Sequence, residues 1–161
     1  MNRRKAVCLM ALLAGSPFFA QSGYQKSFEK LKSLEGVWEG KASNGKTVRV
    51  SFRMTANGSA LMSEIEGEHN MITMFHMDVD RLLMTHYCAA GNQPRMKAAS
   101  SPEGNSIAFD FLDATNLASA QAGHMHRAVF TLVDPDHHTE EWIWKQDGNE
   151  RTERFELQRT K

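Results

Sequence analysis

The sequence predicts an all-β protein: an antiparallel up-and-down β-barrel of about eight to ten strands behind a short N-terminal helix. Three observations carry that prediction. Past residue 35 the chain falls into short runs in which apolar and polar side chains alternate. In residues 47–55, for example, Val48, Val50, Phe52 and Met54 lie on one side and Arg49, Ser51 and Arg53 on the other. Turn residues separate these runs at hairpin spacing, as at Asn57-Gly58, Asp78-Val79-Asp80, Asp134-Pro135-Asp136 and Asp147-Gly148-Asn149. Finally, almost nothing after residue 35 reads with a helical period. Closing such a meander into a barrel removes the exposed edges of an open sheet and leaves room for one small ligand. A two-sheet sandwich is the alternative architecture.

Taken in order, the chain opens on Asn2-Arg3-Arg4-Lys5 and an apolar run from Ala6 to Gly15, the charged and hydrophobic parts of a secretory signal peptide. The run is too short to span a bilayer. Residues 1–20 are therefore expected to be a leader, with an uncleaved anchor as the alternative. Residues 21–161 then form a single domain in the periplasm or outside the cell, with no stable membrane span after cleavage. Ser27 is expected to cap a helix that places Phe28, Leu31 and Leu34 on one side and stops at Gly36, a plug against something larger. Strands are expected over 37–41, 47–55, 59–66, 70–77, 81–88, from about 96, 106–112, 124–133, 139–146 and 153–159. Residues 102–105 read as a turn, and 113–123 as either a loop or one helical turn.

Composition narrows the function classes. Lys plus Arg and Asp plus Glu number 19 each, so the formal charge is zero and nucleic acid is not an expected partner. Of the two cysteines, Cys8 belongs to the leader, which leaves Cys88 without a disulfide partner, either a small buried hydrophobe or a reactive thiol. The sequence contains no Ser-His-Asp ordering, no phosphate-cradling glycine loop and no paired zinc cysteines, so catalysis has no positive signal.

The stretch 70–96 concentrates the polar candidates. Period two puts Ile72, Met74 and His76 on one face of the first strand and Leu82, Met84, His86 and Cys88 on one face of the second. The following loop, Ala89-Ala90-Gly91-Asn92-Gln93-Pro94-Arg95, is read with His86 as the polar corner of a cavity. His124 and His126 share a strand face with Ala128, Phe130 and Leu132. They are either polar wall residues or, joined by His86, His76 or Glu140, the ligands of a zinc or iron ion. Glu140 shares a face with Trp142 and Trp144 and is expected near the rim, either paired with Arg95 or simply solvated. His137-His138 is expected in a solvated turn. Met54, Met62, Met74 and Met84 read as core filler.

The leading expectation is a barrel that binds a small, mostly apolar or amphipathic molecule with a polar or anionic head. Its tail would lie along Phe52, Met54, Met74, Met84, Phe109, Phe130 and Trp142, and its head would meet His86, Asn92, Gln93, Arg95 and His126. The alternatives are a histidine-lined barrel holding zinc or haem with redox or hydrolytic activity, and a barrel with a filled interior that docks a protein partner.

Gly36-x-Trp38-x-Gly40, placed after a short helix at the start of the first strand, resembles the entry of the lipocalin and nitrobindin-like barrels. The resemblance implies that Trp38 plugs one end and that a cation from the last strand, Arg154 or Arg159, stacks on the indole. Over residues 27–161 the strand rhythm and the loop HYCAAGNQPR look like an uncharacterised lipocalin-like family of secreted bacterial proteins. The chain lacks the lipocalin threonine-aspartate-tyrosine signature and the C-terminal histidine with which nitrobindins hold haem iron.

Overall fold

The computed structural model describes residues 23–67, 69–99 and 104–160. The expected leader, Cys8 and part of the 102–105 turn lie outside these residues. One helix, α1 (Gly23–Lys32), precedes ten strands: β1 (Gly36–Ala42), β2 (Thr47–Thr55), β3 (Ala60–Glu66), β4 (Met71–Asp78), β5 (Arg81–Tyr87), β6 (Gln93–Ala98), β7 (Ser106–Thr115), β8 (His124–Asp134), β9 (His137–Gln146) and β10 (Asn149–Arg159). Each strand pairs antiparallel with the next, and β1 pairs with β10 to close the barrel. Among the described residues no helix is long and apolar enough to cross a membrane.

Strand alternation sorts the side chains. Val48, Val50 and Phe52 from β2, Leu61 and Ile65 from β3, Leu82 and Met84 from β5, and Phe109 and Phe130 from β7 and β8 are all buried in one interior cluster. Phe75 meets Phe109 at 5.6 Å and Phe130 at 5.4 Å between ring centroids, the tilted and edge-on geometries that aromatic quadrupoles favour. Around Phe75, Phe109 and Phe130 the interior is therefore filled with side chains. Met54 and Met84 belong to this interior, whereas Met62 and Met74 alternate to the outside. The expected ligand tail along Phe52, Met74, Met84, Phe109 and Phe130 has no room there.

The filled end is plugged by α1, whose Phe28 and Leu31 are buried. Among the described residues the helix already runs from Gly23, so Ser27, its expected cap, lies within it and is buried. Trp38 donates its indole N–H to the Leu34 carbonyl at 2.7 Å. The cation over its ring is Arg159, at 4.1 Å from the centroid, which also donates to the carbonyls of Ser33, Glu35 and Pro135. Arg154 is spent on an outer ion pair with Glu141. Gly36 sits at φ 132°, and an added Cβ would lie 2.8 Å from the Arg159 guanidinium. At Gly40 an added Cβ would fall 1.8 Å from the backbone oxygen of Glu156, so only glycine lets β1 and β10 approach this closely.

Candidate functional site

The opposite end, where the β1–β2 and β3–β4 connections meet the start of β10, contains a cavity of about 300 Å³. Its wall is mainly apolar, with Val48, Ile65, Met71, Met125 and Phe155, and His86 and Trp142 form its buried floor. Lys46, Glu66, His69, Arg151 and Glu153 stand around its mouth.

His86 reaches the floor by strand parity. On β5, Leu82, Met84 and His86 alternate inward and are completely buried. The register aligns His86 with Thr73 of β4, and Thr73 with Ser63 of β3, so three polar interior side chains lie in neighbouring positions around the wall. Thr73 Oγ1 lies 2.9 Å from His86 Nδ1. The other ring nitrogen, Nε2, is buried with no hydrogen-bond partner, and so is Ser63 Oγ. The ring packs against Trp142 at 4.8 Å between centroids. Burial pushes the His86 pKa down to about 4, so the ring is neutral near neutral pH.

Trp142 connects this floor to a second buried polar group. Its indole N–H donates to Glu140 Oε2 at 2.9 Å, and Glu140 Oε1 lies 3.2 Å from His138 Nε2. His138 in turn meets the Trp38 ring edge-on at 4.3 Å. Glu140 is thus fully buried, neither at the rim nor paired with Arg95, because it shares inward parity with Trp142 two residues on. His138 was expected in a solvated turn. Strand β9 instead begins at His137, two residues earlier, and parity carries His138 into the core while His137 stays exposed. The alternation His138, Glu140, Trp142 was visible in the sequence and marks both residues as interior.

Arg95 does not reach the cavity. The polar loop is a tight turn, closed by Cys88 N–H to Asn92 O and Gly91 N–H to Cys88 O, and β6 already begins at Gln93. Pro94, Met96 and Ala98 face in, so Arg95 faces solvent, where its guanidinium holds Asp113 at 2.6 Å. His86 and Arg95 do not look into one space. A cation that does line the cavity is Arg151, exposed at its mouth and in phase on β10 with Phe155 and Leu157, opposite Trp144. Asn92 is buried but spends its amide on Gly123 O at 2.8 Å, and Gln93 bonds Gly91 O and Thr115. Both brace the β5–β6 turn against its neighbours instead of lining the cavity wall.

His124 and His126 form a separate cluster. His124 Nδ1 donates to the Ala122 carbonyl at 2.8 Å, which leaves its Nε2 to accept from His126 Nδ1 at 3.2 Å. Both rings lie against Phe111, at 4.5 Å and 5.3 Å. The register of β8 against β9 shifts between Met125 and Arg127, which sets His126 out of the regular alternation, and Met125 takes the place in the cavity wall. Burial first, then the charges of Lys145 and His124, hold the His126 pKa below the usual histidine range. Among the described residues no three His, Cys, Asp or Glu side chains come together to hold a metal ion, so the His86, His124, His126 set is not assembled. The cavity, at about 300 Å³, lies at the small end of the roughly 300–1,000 Å³ range of small-molecule sites. Cys88 is half-buried and free, and burial pushes its thiol pKa up, away from reactivity.

No family model and no curated protein matches the chain. Among solved structures it is similar to the crystal structure of a protein with unknown function from the DUF3598 family of Nostoc punctiforme. The TM-score is 0.55 and the sequence identity 13%, over 81% of this chain. The chain spans 49% of the length of that protein. At this identity the likeness shows the fold alone, and the barrel is the structural property the two have in common.

Proposed function

We propose that the protein is a binding protein, not an enzyme, for one small, mostly apolar molecule held in the cavity at the open end of the barrel. The observation that carries this reading is the floor: a neutral His86 with an unpartnered Nε2 beside the Trp142 ring, at the bottom of an apolar-walled space. An unpaired polar group so deeply buried costs on the order of 1–3 kcal/mol, which a ligand atom offsets on binding. The apolar body of the ligand would lie against Val48, Ile65, Met125 and Trp142, and a polar or anionic head left at the mouth would meet Arg151 and Lys46. The basic and apolar N-terminal stretch favours a periplasmic or secreted location, where a carrier or scavenger of such molecules would act.

The test is a fluorescence titration with an environment-sensitive apolar probe, 1-anilinonaphthalene-8-sulfonate, on the wild type and on Ala42→Phe. Ala42 is buried in the cavity wall, and the larger ring fills the space. Saturable one-to-one binding by the wild type, weakened about tenfold or more in Ala42→Phe, supports the reading. Equal binding by both proteins, or none by either, refutes it.

A further inference from the structure

The polar atom at the bottom of the cavity has a definite hydrogen-bonding sign, and it follows from counting protons. Thr73 is fully buried, and among the described residues the only hydrogen-bond partner of its hydroxyl is His86 Nδ1. Two neutral tautomers of His86 are available. If Nδ1 carried the proton, it would donate to Thr73 Oγ1. The threonine proton would then have no acceptor and the Nε2 lone pair no donor, leaving two buried groups unmet. If Nε2 carries the proton, Thr73 donates to the Nδ1 lone pair and only the Nε2–H remains unmet. Each unmet buried group is costly, so the second arrangement prevails. The unmet group on this cavity-lining residue is therefore a neutral N–H donor.

Resting on the reading of the cavity as a ligand site, we infer that the ligand inserts an uncharged hydrogen-bond acceptor, the oxygen of a ketone, ester or amide carbonyl, onto the Nε2–H of His86, with its apolar body against Trp142 and Met125. A hydroxyl also accepts, but its own proton then needs a second acceptor, and the lining below the mouth is mainly the apolar Val48, Ile65, Met125 and Phe155, with the carboxylates of Glu66 and Glu153 at the mouth. A carboxylate would lose its hydration at a point where the only facing group is neutral; the cations that could balance it, Arg151 and Lys46, stand at the mouth. The site thus separates a carbonyl-bearing apolar molecule from the acid, the alcohol and the plain hydrocarbon of the same size. Selectivity of this kind arises where a site is built to pair one polar atom in an otherwise dry space.

Two measurements test it on the full mature chain. The first is competition against bound 1-anilinonaphthalene-8-sulfonate by nonan-2-one, nonan-2-ol, nonanoate and 1-nonene near neutral pH. The ketone is expected to compete about tenfold more strongly than 1-nonene and ahead of the alcohol and the acid, and His86→Phe is expected to bring ketone and alkene together. The second is the two-bond proton–nitrogen NMR spectrum of the wild-type histidines, which reads the tautomer whether or not the variant folds. A protonated Nε2 with a bare Nδ1 at His86 supports the inference. A protonated Nδ1, or a ketone no better than the alkene while both displace the probe, overturns the donor assignment and leaves the cavity reading standing. Displacement by the acid ahead of the ketone overturns the uncharged-acceptor claim. Failure of every compound to displace the probe, or of the probe to bind, counts instead against the cavity as a ligand site.

Discussion

Replacing His86 by glutamine should flatten part of the pH dependence of stability. The imidazole is completely buried, and burial lowers its pKa from 6.5 to about 4. In the unfolded chain the ring takes up its proton as the pH falls through about 6.5, whereas in the folded barrel it resists until about 4. Stability from this group is therefore whole above the unfolded value and is lost as the pH falls from there toward 4. By the linkage relation the loss is about 2 kcal/mol at pH 5 and approaches 3 kcal/mol near pH 4. Glutamine is neutral throughout and can still bond Thr73, so it lacks this loss. Urea unfolding followed by circular dichroism at about pH 7.5 and pH 5 should show the wild type losing about 2 kcal/mol more than His86→Gln over that interval. Parallel profiles for the two proteins would refute a buried, neutral residue 86. The same comparison cancels the carboxylate contributions, which both proteins share.

Other substitutions test separate parts of the structure. Gly40→Ala puts a methyl group against the backbone of Glu156 and should cost about 3 kcal/mol in denaturant midpoint experiments, since neither strand can move without opening the β1–β10 closure. Arg159→Met removes charged donors from three carbonyls and the cation from the Trp38 face, and should cost about 3 kcal/mol, with Arg159→Lys restoring only part because an ammonium cannot match the planar fork. Arg95→Ala, by contrast, should leave both thermal stability and probe affinity at wild-type values, because the side chain points to solvent on the outer face. Trp142→Phe should leave Glu140 Oε2 without its donor and lower stability by roughly 1–3 kcal/mol, read by the same unfolding curves.

Most of the architecture was legible from period-two alternation and turn residues: the β2 strand, the Asn57-Gly58 reversal and the Trp38 plug all stand where the sequence put them. What failed was the origin of the count at strand ends. Starting β6 near Met96 left Arg95 in a loop and free to turn inward, while starting it at Gln93 fixes Arg95 outside by the alternation of its own neighbours. Ending the β8–β9 turn two residues late similarly sent His138 to solvent. In both strands the parity inside the expected range holds, with Met96 and Trp142 inward, but a residue left beyond a strand's expected end loses the alternation that fixes its face. His126 was hidden for another reason, a bulge that breaks the alternation and has no mark in the residue types around it. Arg151 could have been found, because Phe155 and Leu157 fix the inward face of β10 and residue 151 lies in phase with them.

Titrating the nitrogen-labelled protein with nonan-2-one and following its tryptophan side-chain N–H signals tests the ligand reading most directly, because the chain has three tryptophans that report on different depths of the barrel. Saturable shifts at the Trp142 indole and at the backbones of Ala42, Ile65 and Met125, with the Trp38 indole unmoved, are the predicted result. Shifts centred on Trp38 and Leu34, or no saturable shift at any of the three indoles, would contradict it.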